Sequence, residues 1–140
     1  AHMKIAGASA VVMPLYSDED VVRLRKLVRE ELAALGFGIV DQTKMITAAS
    51  ELARNTLKYG KGGECHLSKL HQSPKIGVEL AFTDDGPGID DVALALTDGY
   101  TSGGGLGLGL SGAKKLSDEF HLETQPGAGT TVTIRKWKFA

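Results

Sequence analysis

Lys75-Ile76-Gly77-Val78-Glu79-Leu80-Ala81-Phe82-Thr83-Asp84-Asp85-Gly86-Pro87-Gly88 is a run of two halves. In the first, Ile76, Val78, Leu80 and Phe82 recur at every second position, the period at which strand side chains return to one face. The second half sets a carboxylate at the strand end and then two glycines, which let backbone approach a flat ligand closely. A carboxylate there can accept a hydrogen bond from an exocyclic amine. The same letters also make a plain turn, because Asp-Gly and Pro-Gly pairs are ordinary turn formers.

Upstream, residues 64–72 alternate in part and Pro74 punctuates, which predicts a hairpin-like pair with residues 75–83. Before that the period becomes helical. Met45, Ala49, Leu52, Ala53 and Thr56 form an apolar stripe, Asp41 is placed to cap its start, and Gly60-Lys61-Gly62-Gly63 ends it. Val21, Leu24, Val28, Leu32 and Leu35 mark an earlier helix, capped by Ser17 or Asp18 and closed by Gly36, and the apolar run 10–15 ahead of it predicts a strand. Downstream, residues 89–96 carry a short helical pattern and glycines crowd the stretch from 99 to 109. Residues 108–116 read as a helix entered from glycine, and 119–124 and 130–137 as closing strands around Pro126-Gly127-Ala128-Gly129. The order β-α-α-β-β-α-loop-α-β-β predicts an α+β two-layer sandwich, a largely antiparallel sheet covered by helices on one face.

A chain of 140 residues, 42% of them hydrophobic, supports one core, so residues 3–140 read as a single domain and Ala1-His2 before Met3 as an expression scar. The net charge of -1 argues against nucleic acid as a partner, which leaves a basic footprint. Cys65 is the one cysteine, so neither an internal disulfide nor a thiolate metal cluster can form, and a reducing cytoplasm fits. Apolar runs fall short of the ~20 residues that span a bilayer, so no membrane is expected. Cys65, His66, His71 and His121 lack a ligand spacing, since adjacent strand residues point to opposite faces. Trp137 reads as core packing.

Glu51 and Asn55 stand one helical turn apart opposite the apolar stripe, and Lys58 joins them; a solvated helix face presents the same pattern. In Gly105-Leu106-Gly107-Leu108-Gly109-Leu110, glycines free backbone N–H groups just before a helix, which suits phosphate. The dinucleotide fingerprint needs an N-terminal strand-turn-helix unit that this chain lacks, and no Gly-Lys-Ser or Gly-Lys-Thr ending supports a P-loop. Phosphate binding here calls for another architecture.

Taken together, Glu51-Leu52-Ala53-Arg54-Asn55, Asp84-Asp85-Gly86-Pro87-Gly88, Gly105 to Leu110 and Gly129-Thr130-Thr131 stand in the order of the four nucleotide boxes of the Bergerat-fold (GHKL) ATPases and kinases. The chain resembles that superfamily, and within it the serine/threonine kinases related to anti-sigma factors. The resemblance implies ATP and Mg²⁺. It implies that Asn55 ligates the metal, Asp84 binds the adenine amine, Gly86 and Gly88 line the base, and Thr130 supports the adenine. The backbone of Gly105, Leu106, Gly107, Leu108 and Gly109 would wrap the phosphates, with Lys58 adding charge. Glu51 would be the general base, where the histidine-kinase branch usually has Asn. The implied partners are a STAS-domain substrate on a stressosome-type scaffold and a PP2C-type phosphatase activated after release. A non-catalytic, nucleotide-dependent anti-sigma module and a detached histidine-kinase catalytic domain are the alternatives.

Overall fold

The computed structural model describes residues 10–89, 92–96 and 109–140. Strand β1 (Val11–Leu15) runs into helix α1 (Asp18–Ala34). Of the two expected caps, Ser17 does the work: its backbone is extended and its hydroxyl accepts the Asp20 N–H. Asp18, Glu19 and Asp20 then fill the first turn, where the helix dipole favours negative charge. Val21, Leu24, Val28 and Leu32 turn inward, and the helix ends just before Gly36.

Helix α2 (Ile39–Lys58) starts earlier than expected. Its cap is Gly38, in extended backbone with no side-chain cap bond, and Asp41 sits inside the first turn. The Gln42 amide donates back to the Phe37 carbonyl at 2.8 Å and helps fasten this entry. Asp41 instead faces the Lys136 ammonium at 3.7 Å. All five stripe residues, Met45, Ala49, Leu52, Ala53 and Thr56, are buried.

The remaining elements are β2 (Gly63–Gln72), β3 (Lys75–Asp84), a single turn α3 (Val92–Ala95), α4 (Gly109–Leu116), β4 (Glu119–Thr124) and β5 (Thr130–Phe139). They form a five-stranded sheet in the order β1-β2-β3-β5-β4, every neighbouring pair antiparallel. Register puts Cys65 beside Phe82 beside Val132, and Leu67 beside Leu80 beside Ile134. This face meets Leu24, Leu32 and Leu52 of the helices in one core. Each such side chain, taken from water, contributes roughly 1.5–3 kcal/mol. Helices on one side of an antiparallel sheet is the predicted two-layer arrangement.

Two expectations about the strands change. The clean alternation of β3 does not survive as buried against exposed, because Glu79 and Ala81 on its second face are buried as well. Glu79 is tolerated there because the Arg135 Nε donates to its Oε2 at 2.7 Å. Trp137 lies on this second face, away from the helices, with its indole N–H donating to Glu119. It is half-buried surface rather than core. Among the described residues no helix is long and apolar enough to cross a membrane.

Candidate functional site

The end of β3 carries Asp84, paired with Gly63 on one side and Thr130 on the other. Two loops and the last turn of α2 meet there. Asp84 Oδ1 accepts the Gly86 N–H at 2.9 Å, and the Thr130 N–H also supports the carboxylate. Partial burial nevertheless pushes the Asp84 carboxyl above the usual range, and the neighbouring charge of Asp85 adds to the rise. A carboxylate kept short of water beside a second one favours any ligand N–H that can share its charge.

Gly60 explains how the helix end comes so close. A Cβ built on it would lie 2.4 Å from Asp84 Cγ, so only glycine lets this turn rest against the acid. Gly86 packs back on the same turn, where its own Cβ would come within 2.7 Å of the Gly60 Cα. Gly88, predicted to line a base, has a second reason to be glycine: a Cβ there would strike the Gln125 carbonyl at 2.1 Å.

Thr130 is tied into a hydroxyl relay. Thr124 Oγ1 accepts the Ile89 N–H at 2.9 Å and donates to the Gly129 carbonyl at 3.1 Å. With that proton committed, the 3.0 Å contact between the two threonine hydroxyls makes Thr130 the donor. Thr130 therefore faces Asp84 with its peptide N–H, while its hydroxyl braces the loop carrying Ile89.

Asn55 occupies the last turn of α2, its carbonyl accepting the N–H groups of Tyr59 and Gly60. Its side chain is half-buried, and Glu51 one turn earlier is 15% exposed with the Arg54 guanidinium at 3.4 Å. Lys58 is exposed and its ammonium lies 5.4 Å from the centre of the Tyr59 ring. Gly109 opens α4, which packs along α2. Gly105, Leu106, Gly107 and Leu108 lie outside the described residues. The structure thus brings Asp84, Gly86 and Thr130 together and places Asn55 and Glu51 on the adjoining helix.

Three residues that sequence reasoning passed over belong to this neighbourhood. Tyr59 caps α2, and its backbone carbonyl lies against Gly86; its position directly after Lys58 was the available signal. Thr124 anchors the hydroxyl relay, and nothing in a lone threonine near a strand end announces that. Tyr16 covers Gly62 and forms one wall of an open cleft of about 690 Å³, with Lys61, Glu64, Thr83, Asp84 and Asp85 among its other walls. Neither Asn55 nor Thr130 lines this cleft, so it is not where the predicted ligand groups converge.

Residues 40–140 match the family of histidine kinase-, DNA gyrase B- and HSP90-like ATPases. The chain is 41% identical over 123 residues to serine/threonine-protein kinase RsbT of Bacillus subtilis (strain 168), covering 88% of this chain and 92% of that one. It is 33% identical over 101 residues to an anti-sigma F factor of Halalkalibacterium halodurans, 69% of each chain. A solved structure of the RsbU and RsbW domains of a Mycobacterium tuberculosis protein is similar in fold, with a TM-score of 0.63 at 19% identity; it covers 96% of this chain and 34% of that one. The catalytic domain of histidine kinase ThkA gives 0.52 at 16% identity, over 91% of this chain and 98% of that one. Every predicted site residue falls within the matched span.

Proposed function

The chain belongs to the histidine kinase-, DNA gyrase B- and HSP90-like ATPase family, and on that premise we propose that it is a protein serine/threonine kinase acting on a STAS-domain partner. The setting is a bacterial stress-response pathway of the partner-switching kind, with Mg-ATP as phosphoryl donor. After release from a stressosome-type scaffold, the kinase activates a PP2C-type phosphatase. The observation that carries the reading is the placement of Glu51 one turn from Asn55, on the helix whose end packs against Asp84.

Each residue has a task its surroundings suit. Asp84 accepts from the adenine amine, because its Oδ1 is fixed by Gly86 and the acid is already partly desolvated. Asn55 supplies an amide oxygen to Mg²⁺, which prefers few protein oxygens and neutralises phosphate charge when bound. Glu51 takes the proton from the attacking hydroxyl, and Lys58 adds positive charge near the same helix end. The backbone of residues 105–109 contributes peptide N–H groups to the phosphates.

The test is transfer of labelled γ-phosphoryl from ATP to purified STAS partners. Phosphate stable to acid on Ser or Thr is expected, and Glu51→Ala should bind Mg-ATP normally while transferring ~10²- to 10⁴-fold more slowly. Transfer at an unaltered rate would remove Glu51 as the base. The alternative is a non-catalytic, nucleotide-dependent anti-sigma module, of which the anti-sigma F relative supports the anti-sigma part. Label on a partner hydroxyl is incompatible with that reading.

A further inference from the structure

Helix α2 carries more than the site at its end. Val40, Lys44, Thr47 and Glu51 follow one another at steps of four, three and four residues, which lines them up along one side of the helix. Val40 and Lys44 are exposed and Thr47 and Glu51 partly so, while Met45, Ala48, Ala49 and Leu52 are buried on the other side. The line begins at an apolar step, with Ile39 72% exposed and Val40 63%. Lone exposed aliphatic residues are ordinary on a protein surface. Here two neighbours stand out together, at the head of the line that leads to Glu51.

The turn beneath them is fixed. Phe37 is buried and its carbonyl accepts the Gln42 side-chain amide at 2.8 Å, the Gln42 peptide N–H donates to the Gly38 carbonyl at 3.0 Å, and the Thr43 hydroxyl donates to the Ile39 carbonyl at 2.8 Å. Asp41 faces Lys136 on the inner side. Both exposed side chains are β-branched, so they have little rotamer freedom to lose. A fixed turn and stiff side chains lower the ordering cost of any contact made there. Lys44, next along the line, has no carboxylate partner among the described residues, whereas Lys26, Lys69 and Lys136 each have one.

With Glu51 as the base of the kinase proposed above, the protein that brings it a hydroxyl must lie over this same line. We propose that the exposed side of α2 is the docking surface for that protein substrate, with Ile39 and Val40 as its apolar anchor and Lys44 as the contact for a carboxylate. Val40 and Glu51 are roughly 16 Å apart at about 1.5 Å of rise per residue. The substrate therefore carries an apolar patch at that distance from its acceptor hydroxyl and an acid between the two, a spacing that the surface of a folded domain can hold. A second copy of the chain fits poorly, since antiparallel pairing of two such lines would set Val40 against Glu51.

The test is steady-state transfer from Mg-ATP to purified STAS-domain partners. Ile39→Ser/Val40→Ser should raise KM for the partner by about tenfold or more, while the rate at saturating partner, the Kd for Mg-ATP and the melting temperature hold. Lys44→Glu should also raise KM, by a factor that shrinks at high salt. Val22→Ser on α1, where the side chain is 65% exposed, should leave KM unchanged. An unaltered KM in the double variant, a loss of turnover with KM unchanged, or an equal rise in KM from Val22→Ser would overturn the docking surface and leave the kinase reading standing. So would wild-type self-association in sedimentation that the double variant abolishes, since the occupant would then be a second copy. A wild-type chain that labels no STAS partner would overturn the kinase reading, and the docking surface with it.

Discussion

Replacing Gly60 by alanine adds one methyl group where the Asp84 carboxylate now sits. The new Cβ would lie 2.4 Å from Asp84 Cγ, 2.5 Å from its Cβ and 2.7 Å from its Oδ2, all shorter than any ordinary carbon contact. Something must move, and the side chain yields more readily than a strand end held by Gly63 and Thr130. Rotating it strains a rotamer and gives up the bond from Gly86, so stability should fall by about 1–3 kcal/mol. The larger effect is on the ligand. A hydrogen bond from an adenine amine to a charged acceptor is worth roughly 1.5–3 kcal/mol, which is about 10- to 150-fold in Kd. Calorimetry of Mg-ATP and Mg-GTP on wild type and Gly60→Ala measures it directly, because guanine has a carbonyl where adenine has its amine. The variant should lose ATP affinity by that factor, lose little for GTP, and remain folded by circular dichroism. A folded Gly60→Ala that binds ATP as tightly as wild type would refute the assignment of Asp84 to the base.

Asp84→Asn should raise the melting temperature near neutral pH while weakening ATP binding. The folded acid binds its proton more tightly than the unfolded one, so it favours the fold fully below its unfolded value of 3.8 and loses that contribution as pH rises through the raised folded value. The variant's advantage in melting temperature should therefore shrink in acid, and an advantage that grows there would contradict the sign. Leu24→Ala removes a fully buried side chain between helix and sheet and should cost about 2–5 kcal/mol in urea unfolding, with ATP affinity per folded molecule unchanged. Thr124→Val deletes the hydroxyl shared by Ile89, Gly129 and Thr130; a loss of about 1–3 kcal/mol is expected, with faster amide exchange at Ile89.

The strands were readable because their period survives burial. Ile76 to Phe82 kept their face, and the hairpin with residues 64–72 gained only Gly63 at its start and Asp84 at its end. The start of α2 was not readable from side chains. Gly38 offers no capping oxygen, and Ile39 and Val40 are 72% and 63% exposed, so the first apolar letters carry no periodic signal. Trp137 was misplaced because its neighbours alternate on both faces, and only the pairing of β5 with β3 and β4 shows which side it takes. The site divides in the same way. Local order names Glu51, Asn55 and Asp84, whereas the contact of Gly60 with Asp84 and the threonine relay depend on loops that meet only when the sheet is assembled. Resemblance supplied the link that local pattern could not.

The end of β3 shows how one strand delivers the acid to its site. Asp84 continues the face of Leu80 and Phe82, toward the helices, and Thr83 takes the face of Ala81, away from them. Consecutive residues thus serve opposite sides of one strand. The backbone between them is held by hydrogen-bonded neighbours on both edges, Gly63 and Glu64 in β2 and Thr130 and Thr131 in β5. The peptide that carries Asp84 is therefore fixed by pairing on both edges, whatever side chains the outer face presents. The pleat that makes the sequence alternate is thus what turns the acid toward the helices, where α2 ends against it, and leaves its neighbour on the outer face.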